Sequence, residues 1–243
     1  MSVSNIILSI VLCKVTTTCF QQQGLVGTEP KKNPRQDLEE VKKTNQEIHD
    51  WLEANQEELR TGELAVLVID ECHLMSGEIC GYGWGDRKQR RTVEVGNYRD
   101  RQTYYGAIDL VTQEVLMQKA KTADGEQTVD FIKYLQRQRP KSRLLIIWDG
   151  ASYHLQGKFQ EYLAQINGEN EENWLVHCHR FAPYAPEENP IENIWSQGKN
   201  FLRRFHHFCK SFAITKKLFE LFIHYQLFTM PNLDDYEAFS HLF

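Results

Sequence analysis

The sequence predicts an α/β protein whose mixed sheet is flanked by helices. Residues 64–69 and 144–148 are continuous apolar runs, which are typical of strands buried on both faces of a sheet. Residues 102–108 and 114–119 are predicted as two strands around a turn, and residues 126–137 carry apolar side chains at helical spacing. This order of elements indicates a sheet in which an antiparallel hairpin joins parallel strands.

Further elements follow the second buried run. They are predicted helices at residues 159–166, 190–205 and 212–228 and a short strand at residues 174–179. Upstream of the sheet, residues 27–35 (GTEPKKNPR) are typical of an exposed linker. Residues 37–60 are rich in Glu, Lys and Gln, with apolar side chains at partly helical spacing, and we predict an amphipathic helix there.

Composition sets limits on the class of protein. The 243 residues are 41% hydrophobic, enough to bury a sizeable core, and the net charge is −5. An acidic balance does not indicate a nucleic-acid binder, because such domains are usually basic. Positive charge is nevertheless concentrated locally, where it could meet phosphates or form solvated faces. The three basic groups are Arg87, Lys88, Arg90, Arg91, Arg99 and Arg101; Arg137, Arg139, Lys141 and Arg143; and Lys199, Arg203 and Arg204.

The cysteines and histidines do not form a recognisable zinc pattern. Six cysteines are scattered along the chain, and we interpret them as reduced thiols of an intracellular protein. No pair has the C-x₂-C or H-x₃-H spacing of a structural zinc site. We interpret His177 and His179 as structural or phosphate-facing. The apolar run at residues 6–13 is too short for a membrane span, which needs about 20 residues, and it lacks the basic start of a signal peptide; we expect no membrane segment.

Three acids stand where a metal site could form. Asp70 and Asp149 directly follow the two buried runs, and ligands gather at the carboxyl ends of strands in open α/β sheets. Glu192 lies near the start of a predicted helix. Carboxylates from separate elements can hold a pair of Mg²⁺ ions for phosphodiester chemistry. Without metal, such a cluster would suffer like-charge repulsion.

Each of these acids also has a structural interpretation. Asp70 could end its strand and begin a turn, and Asp149 precedes a glycine, which is a common turn pair. With Asn189 as N-cap and Pro190 at the first helical position, Glu192 falls at the capping-box position. Spacing alone leaves both interpretations open.

The residues around the acids resemble known motifs. Residues 184–195 (YAPEENPIENIW) resemble the signature S-P-D-L-N-P-I-E-x-x-W of mariner-superfamily DDE transposases and their bacterial insertion-sequence relatives. Residues 147–154 (IWDGASYH) resemble that family's second-acid motif, and residues 68–71 (VIDE) its first. Residues 105–108 (YGAI) look like a strand that the family has in the same place. The resemblance covers about residues 64–230.

The resemblance implies a fold, an activity and a site. The fold would be ribonuclease-H-like, and Asp70, Asp149 and Glu192 would be the catalytic triad that holds two Mg²⁺ or Mn²⁺ ions. The family cuts DNA at element ends with water and then uses the freed 3′-hydroxyl to attack target DNA. The implied partners are therefore element-end and target DNA, bound by a homodimer, and the implied location is the cytoplasm, at the nucleoid.

Other residues and other activities stay open at this point. Glu71 and His154 match motif positions, but we do not expect them to be metal ligands; Glu71 should point to the other strand face, and His154 could touch phosphate or orient an acid. Trp195 and Phe201 are expected in the core. A ribonuclease-H-type nuclease that only hydrolyses would share the acids. An inactive remnant that only associates with DNA would share every motif.

The chain departs from the family pattern in two places. Between Asp149 and Glu192 lie 42 residues, more than is usual, and the polar residues 167–173 (NGENEEN) have the composition of a tolerated surface insertion. The family's helix-turn-helix region has no counterpart in residues 1–20, so we expect the catalytic half of a longer or split reading frame. The expected domains are an N-terminal remnant or linker at 1–60, the catalytic domain at 61–232 and a tail at 233–243.

Overall fold

A five-stranded sheet forms the centre of the protein in a computed structural model, which describes residues 37–76, 100–149 and 157–242. The strands are β1 (Leu64–Met75), β2 (Arg101–Asp109), β3 (Val115–Ala120), β4 (Arg143–Trp148) and β5 (Val176–Arg180). Their order across the sheet is β3-β2-β1-β4-β5. The β1–β2 and β2–β3 pairs are antiparallel, whereas β1–β4 and β4–β5 are parallel. The predicted mixed sheet is confirmed.

Helices cover the sheet. Those of the described residues are α1 (Leu38–Ala54), α2 (Gln56–Thr61), α3 (Gly125–Gln138), α4 (Lys158–Asn167), α5 (Pro190–Arg204) and α6 (Phe212–His224). The helix predicted over residues 37–60 is divided into α1 and α2 at Asn55. The Asn55 side chain donates to the carbonyl O of Trp51 at 2.7 Å, so it satisfies a backbone group that the end of α1 leaves open.

Alternate residues of β1 enter two separate cores, as the period of two in a strand requires. Val66 and Val68 face α5 and α6, in a cluster that includes Ile194 and Phe219. Leu67 and Ile69 belong to the opposite cluster, with side chains of α3 and α4. The sheet is therefore buried on both faces, which explains why its central strands are continuous apolar runs rather than alternating ones.

Residues before β1 and after α6 in the sequence also pack in the core beside the sheet. All described residues belong to one compact unit that spans residues 35–243. Ile48 and Leu52 of α1 and Phe239 near the C-terminus are buried in the same cluster as the α5 face of the sheet. The predicted domain boundaries after residues 60 and 232 stay predictions.

Two expectations about membrane and thiol chemistry can be compared with the described residues. None of the helices described is both long and apolar enough to cross a bilayer. Cys72, Cys178 and Cys209 are thiols rather than disulfide partners. The predicted linker at residues 27–35, the other three cysteines, His154 and five arginines and lysines of the first basic group lie outside the described residues.

Candidate active site

Asp70 and Asp149 lie side by side because two parallel strands are in register. Val68 of β1 pairs with Ile147 of β4, and each acid lies two residues beyond that pair. Residues two apart in a strand point to the same face, so both acids belong to the face covered by α5 and α6. Glu71 belongs to the other face, as predicted, where its negative charge contributes to raising the pKa of Tyr105.

The interpretation in which Asp70 ends its strand and begins a turn is wrong. β1 continues for five residues beyond Asp70 and ends at Met75. The reason is the antiparallel partner β2, which pairs with β1 as far as Met75 opposite Arg101, whereas pairing with β4 stops at Val68. Asp70 therefore stands at the end of the parallel pairing but in the middle of a strand. Asp149 does follow the last residue of β4 directly.

Helix α5 brings Glu192 to the two aspartates, and Asn189 fixes its start. The Asn189 side chain accepts from the backbone N–H of Ile191 at 3.1 Å and donates to the carbonyl O of Ile69 at 3.2 Å. Asn189 is 4% exposed, so this bond to β1 is shielded from water. The predicted N-cap is confirmed, and it also ties the first turn of α5 to the residue that precedes Asp70.

The hydrogen bonds at the start of α5 test whether Glu192 acts in a capping box. A capping-box side chain accepts from the backbone N–H of the N-cap residue. The N–H of Asn189 donates to the carbonyl O of Pro186 at 3.1 Å, so its hydrogen bond does not depend on Glu192. Glu192 is itself exposed.

The three acids line one cavity. Its volume is about 390 Å³, and Asp70, Asp149 and Glu192 share its wall with the segment between β5 and α5. The other lining residues are Phe181, Ala182, Pro183, Tyr184, Ala185, Pro186 and Asn189. The lining therefore combines three carboxylates with mainly apolar side chains.

The pKa of Asp70 is raised well above its usual range. Burial is the largest cause, followed by the negative charge of Glu192; Glu71 and Asp149 add to it, while a backbone hydrogen bond from Glu71 opposes it. Among the described residues, every charge that acts on Asp70 is thus negative. The donor set is made of hard carboxylate oxygens, which suits Mg²⁺ or Mn²⁺ better than a soft metal.

The carboxylates share the cavity without forming a closed ligand shell. Within the described ranges, no three His, Cys, Asp or Glu side chains are grouped closely enough to hold one metal ion. The carboxylate oxygens therefore suit a divalent cation chemically, but the side chains would have to move closer together to bind one.

Sequence reasoning missed two residues beside Asp70. The indole N–H of Trp195 donates to Oδ2 of Asp70 at 3.0 Å, although Trp195 was expected only to fill the core. The core position itself is confirmed, since Trp195 is 2% exposed. Gly106 stands opposite Asp70 in the β1–β2 pairing. The available signals were the tryptophan that closes the third motif and a glycine inside a predicted strand, which often marks a close approach.

His177 and His179 lie on β5, and their contacts support a structural role. The ring centroid of each is 5.5 Å from that of Trp51 on α1. Burial is the main cause that lowers the pKa of both histidines, and the nearby Arg143 charge lowers that of His177 further. Neither histidine lines the acidic cavity.

Ion pairs occupy part of the second basic group. Arg139 pairs with Asp109 and Glu114, each at 2.7 Å, and Arg143 pairs with Glu58. These two arginines have structural partners, while Arg137 and Lys141 of the same group are exposed.

A model of the DDE superfamily endonuclease family matches residues 65–213, more than half of the chain. No curated protein matches the chain. Among solved structures, the Mos1 transposase paired-end complex with left transposon end has a TM-score of 0.57 at 15% identity, covering 94% of this chain and 66% of that one. The Mos1 strand transfer complex has a TM-score of 0.56 at 13% identity, covering 93% and 64%.

A shorter structure matches over most of its length. It is the Mos1 transposase catalytic domain with raltegravir and Mn, with a TM-score of 0.51 at 14% identity, covering 88% of this chain and 90% of that one. The chain spans about two thirds of the length of the first two Mos1 chains. At these identities the likeness concerns the fold. The chain belongs to the DDE superfamily endonucleases, and its fold is the ribonuclease-H-like fold of transposase catalytic domains.

Proposed function

We propose that this chain is the catalytic domain of a DNA transposase, which cleaves DNA at element ends and joins it to a target. Asp70, Asp149 and Glu192 are the proposed catalytic and metal-binding residues. The observation that carries the proposal is their convergence from three separate elements on one cavity, where the half-buried Asp70 lies among like charges. Membership of an endonuclease family supports the same chemistry.

The proposed cofactor is Mg²⁺ or Mn²⁺, as two ions held by the three carboxylates. When bound, such a pair supplies an activated nucleophile and stabilises the leaving oxygen of a phosphodiester displacement. Asp70 and Asp149 would hold the ions from the sheet, and Glu192 would approach from α5. Side-chain rotation at the exposed Asp149 and Glu192 would close the shell, because Asp70 is fixed by its neighbours. The similar Mos1 catalytic domain was solved with Mn.

The proposed partner is DNA, bound along α5. From residue 193 to residue 219 the sequence contains no Asp or Glu and has six Lys or Arg residues, in a chain whose net charge is −5. Arg203 lies 11 residues after Glu192, about 17 Å along the helix at 1.5 Å per residue. A DNA strand whose scissile phosphate lies at the acids would therefore place neighbouring phosphates on a basic surface that we define as Lys199 and Arg203, which lie on the Glu192 side of α5.

The remaining parts of the proposal concern the whole protein. The similar Mos1 structures are a paired-end complex with a transposon end and a strand transfer complex, and we propose a homodimer on DNA for this chain. We further propose an insertion-sequence element of the bacterial type, a catalytic domain at residues 61–232 between an N-terminal segment with a helix and a C-terminal tail, and a place of action at the nucleoid in the cytoplasm.

A cleavage and joining assay tests the catalytic proposal. The substrates are the DNA that flanks this protein's own gene and a supercoiled target plasmid, with Mg²⁺, Mn²⁺ or EDTA. We expect metal-dependent nicking and joining by the wild type and loss of both with Glu192→Gln. The control Glu161→Gln removes an exposed carboxylate on α4 and should leave both activities unchanged.

Three outcomes separate the proposal from its alternatives. Equal activity in the wild type and Glu192→Gln would remove Glu192 from catalysis. Nicking without joining would identify a nuclease that only hydrolyses. DNA binding with no nicking in either metal would identify an inactive remnant.

DNA affinity measured in EDTA tests the basic surface separately. Binding to phosphates releases counterions, and the slope of log K against log salt changes by about 0.9 for each phosphate contact. We expect the double variant Lys199→Gln, Arg203→Gln to make this slope shallower by about 1–2. The matched double variant Lys42→Gln, Lys43→Gln on α1 should not change it, and an equal slope in all three proteins would contradict the proposed surface.

A further inference from the structure

We propose that Trp195 is a positioning residue for Asp70 and that Gly106 is a glycine because it makes room for the Trp195 ring. This inference rests on the proposed metal-binding role of Asp70. It assigns to the tryptophan of the third motif a task at the first acid, which lies 125 positions away in sequence.

The hydrogen bond between the two side chains is direct and shielded. Trp195 Nε1 donates to Oδ2 of Asp70 at 3.0 Å, and Trp195 is 2% exposed. Glu192 and Trp195 are three residues apart on α5 and therefore lie on the same side of the helix. The helix that carries the third acid thus also holds the first acid.

The Trp195 ring occupies space that only a glycine leaves open. Gly106 is the cross-strand partner of Asp70 in the β1–β2 pairing. A Cβ atom at residue 106 would lie 2.3 Å from Cη2 and 2.4 Å from Cζ2 of Trp195, and 3.0 Å from Cδ1 of Ile191. Atoms cannot approach so closely, so any side chain at residue 106 would push the ring away from its present place.

An indole N–H has the chemical properties that this position needs. It is a donor only and carries no charge, so it can hold a carboxylate oxygen without competing with a cation as a lysine or arginine would. A carboxylate has two oxygens and about four lone-pair sites. Trp195 holds Oδ2 and the backbone of Glu71 donates one further hydrogen bond, so lone pairs of the carboxylate remain for an ion. The bond from Trp195 also keeps the carboxylate from turning away from Glu192 and Asp149, whose charges repel it.

The competing explanation is that Trp195 only packs the core and that its N–H uses Asp70 as a convenient acceptor. Removing the N–H while keeping the shape separates the two explanations. Replacing Trp195 by benzothienylalanine through nonsense suppression exchanges the N–H for a sulfur in a ring system of nearly the same size. Trp174 provides a matched control, because its Nε1 is buried and has no hydrogen-bond partner among the described residues.

The readout is the affinity for Mn²⁺, measured by calorimetry without DNA, together with the thermal unfolding midpoint. Loss of a group that orients a metal ligand typically weakens metal affinity 10- to 100-fold. We expect a loss of about tenfold in the Trp195 analogue with a nearly unchanged midpoint, and no change in the Trp174 analogue. A second variant, Gly106→Ala, keeps the N–H but displaces the ring, and should weaken Mn²⁺ binding to a similar extent.

Two results would overturn this inference, and they have different consequences for the proposed function. Unchanged Mn²⁺ affinity in the Trp195 analogue, with binding by the wild type, would reduce Trp195 to core packing and leave the proposed function intact. No Mn²⁺ binding by the wild type would remove both the positioning role and the proposed metal site.

Discussion

Two shielded carboxylates of the sheet have surroundings of opposite charge, one opposite the amino-terminal part of β1 and one just beyond the end of the β1–β4 pairing. At the amino end of β1, Asp109 is 1% exposed and lies opposite Leu67, where Arg139 donates to it at 2.7 Å. Three residues further along β1, just beyond the end of its pairing with β4, Asp70 is surrounded by Glu192, Glu71 and Asp149, and its pKa is raised. Both carboxylates are desolvated, but within the described residues only Asp109 has a counter-charge.

The difference separates a carboxylate that a protein side chain neutralises from one that has no positive partner among the described residues. A buried charge is stable when a partner of opposite sign compensates for it, as Arg139 does for Asp109. The like charges around Asp70 would only destabilise the fold if these acids had a structural role alone. A divalent cation would supply the missing charge, and then the same arrangement becomes a binding site.

The largest expected effect comes from removing the counter-charge of Asp109. Arg139→Ala leaves Asp109 buried without its counter-charge and also removes the pair with Glu114. We expect a loss of about 3–5 kcal/mol in the free energy of unfolding, measured by urea denaturation.

The neighbouring Arg137 provides the control for that variant. It is exposed in the last turn of α3, two residues before Arg139, so Arg137→Ala should change the free energy of unfolding by less than about 0.5 kcal/mol. Similar losses in both variants would mean that helix α3, and not the ion pair, determines the result.

A smaller effect is expected from His177 and His179 on β5, whose pKa values are lowered mainly by burial. The unfolded chain takes up protons more readily than these histidines do in the folded state. Stability should therefore be full above the usual histidine pKa of about 6.5 and decrease as the pH falls below it. Because no buried carboxylate loses its counter-charge, we expect this loss to be smaller than that of Arg139→Ala.

Urea midpoints at pH 7.5 and pH 5.0 measure this contribution. The double variant His177→Asn, His179→Asn should be less stable at both values but should depend less on pH than the wild type. His241→Asn changes an exposed histidine and should keep the wild-type dependence. An unchanged dependence in the double variant would show that other groups titrate.

The smallest expected effect has the opposite sign and concerns the uncompensated carboxylate. Asp70→Asn removes a half-buried negative charge but keeps an oxygen that can accept from Trp195. The raised pKa of Asp70 means that the metal-free wild type loses stability as the pH rises through the folded-state value. At pH 7.5 the variant should therefore gain about 0.5–1 kcal/mol, and the midpoint of the variant should not respond to Mg²⁺. A loss of stability in Asp70→Asn would contradict the comparison.

Local patterns in the sequence predicted most elements because these elements depend on neighbouring residues. The run at residues 144–148 became β4, and the apolar spacing of residues 126–137 became α3, each within one residue at both ends. The N-cap at Asn189 was predicted because capping is decided within three residues. The candidate acids could also be recognised, since Asp70 and Asp149 follow apolar runs and Glu192 lies near the start of a predicted helix.

Contacts between distant segments could not be predicted in the same way. The extension of β1 to Met75 depends on β2, and no local property of residues 71–75 announces that partner. Arg139 was counted with a basic group, although Asp109 is 30 residues away and determines its role. The bond from Trp195 to Asp70 and the space above Gly106 likewise exist only once α5 packs on the sheet.

We infer that a divalent cation neutralises the carboxylates around Asp70. Calorimetric titration of the metal-free protein with Mn²⁺ at pH 7.5 tests it most directly, with Asp149→Ala as the site variant and Glu114→Ala as the control at the Arg139 ion pair. We expect the wild type and Glu114→Ala to bind Mn²⁺ and Asp149→Ala not to bind it. Unchanged Mn²⁺ binding in Asp149→Ala would contradict it.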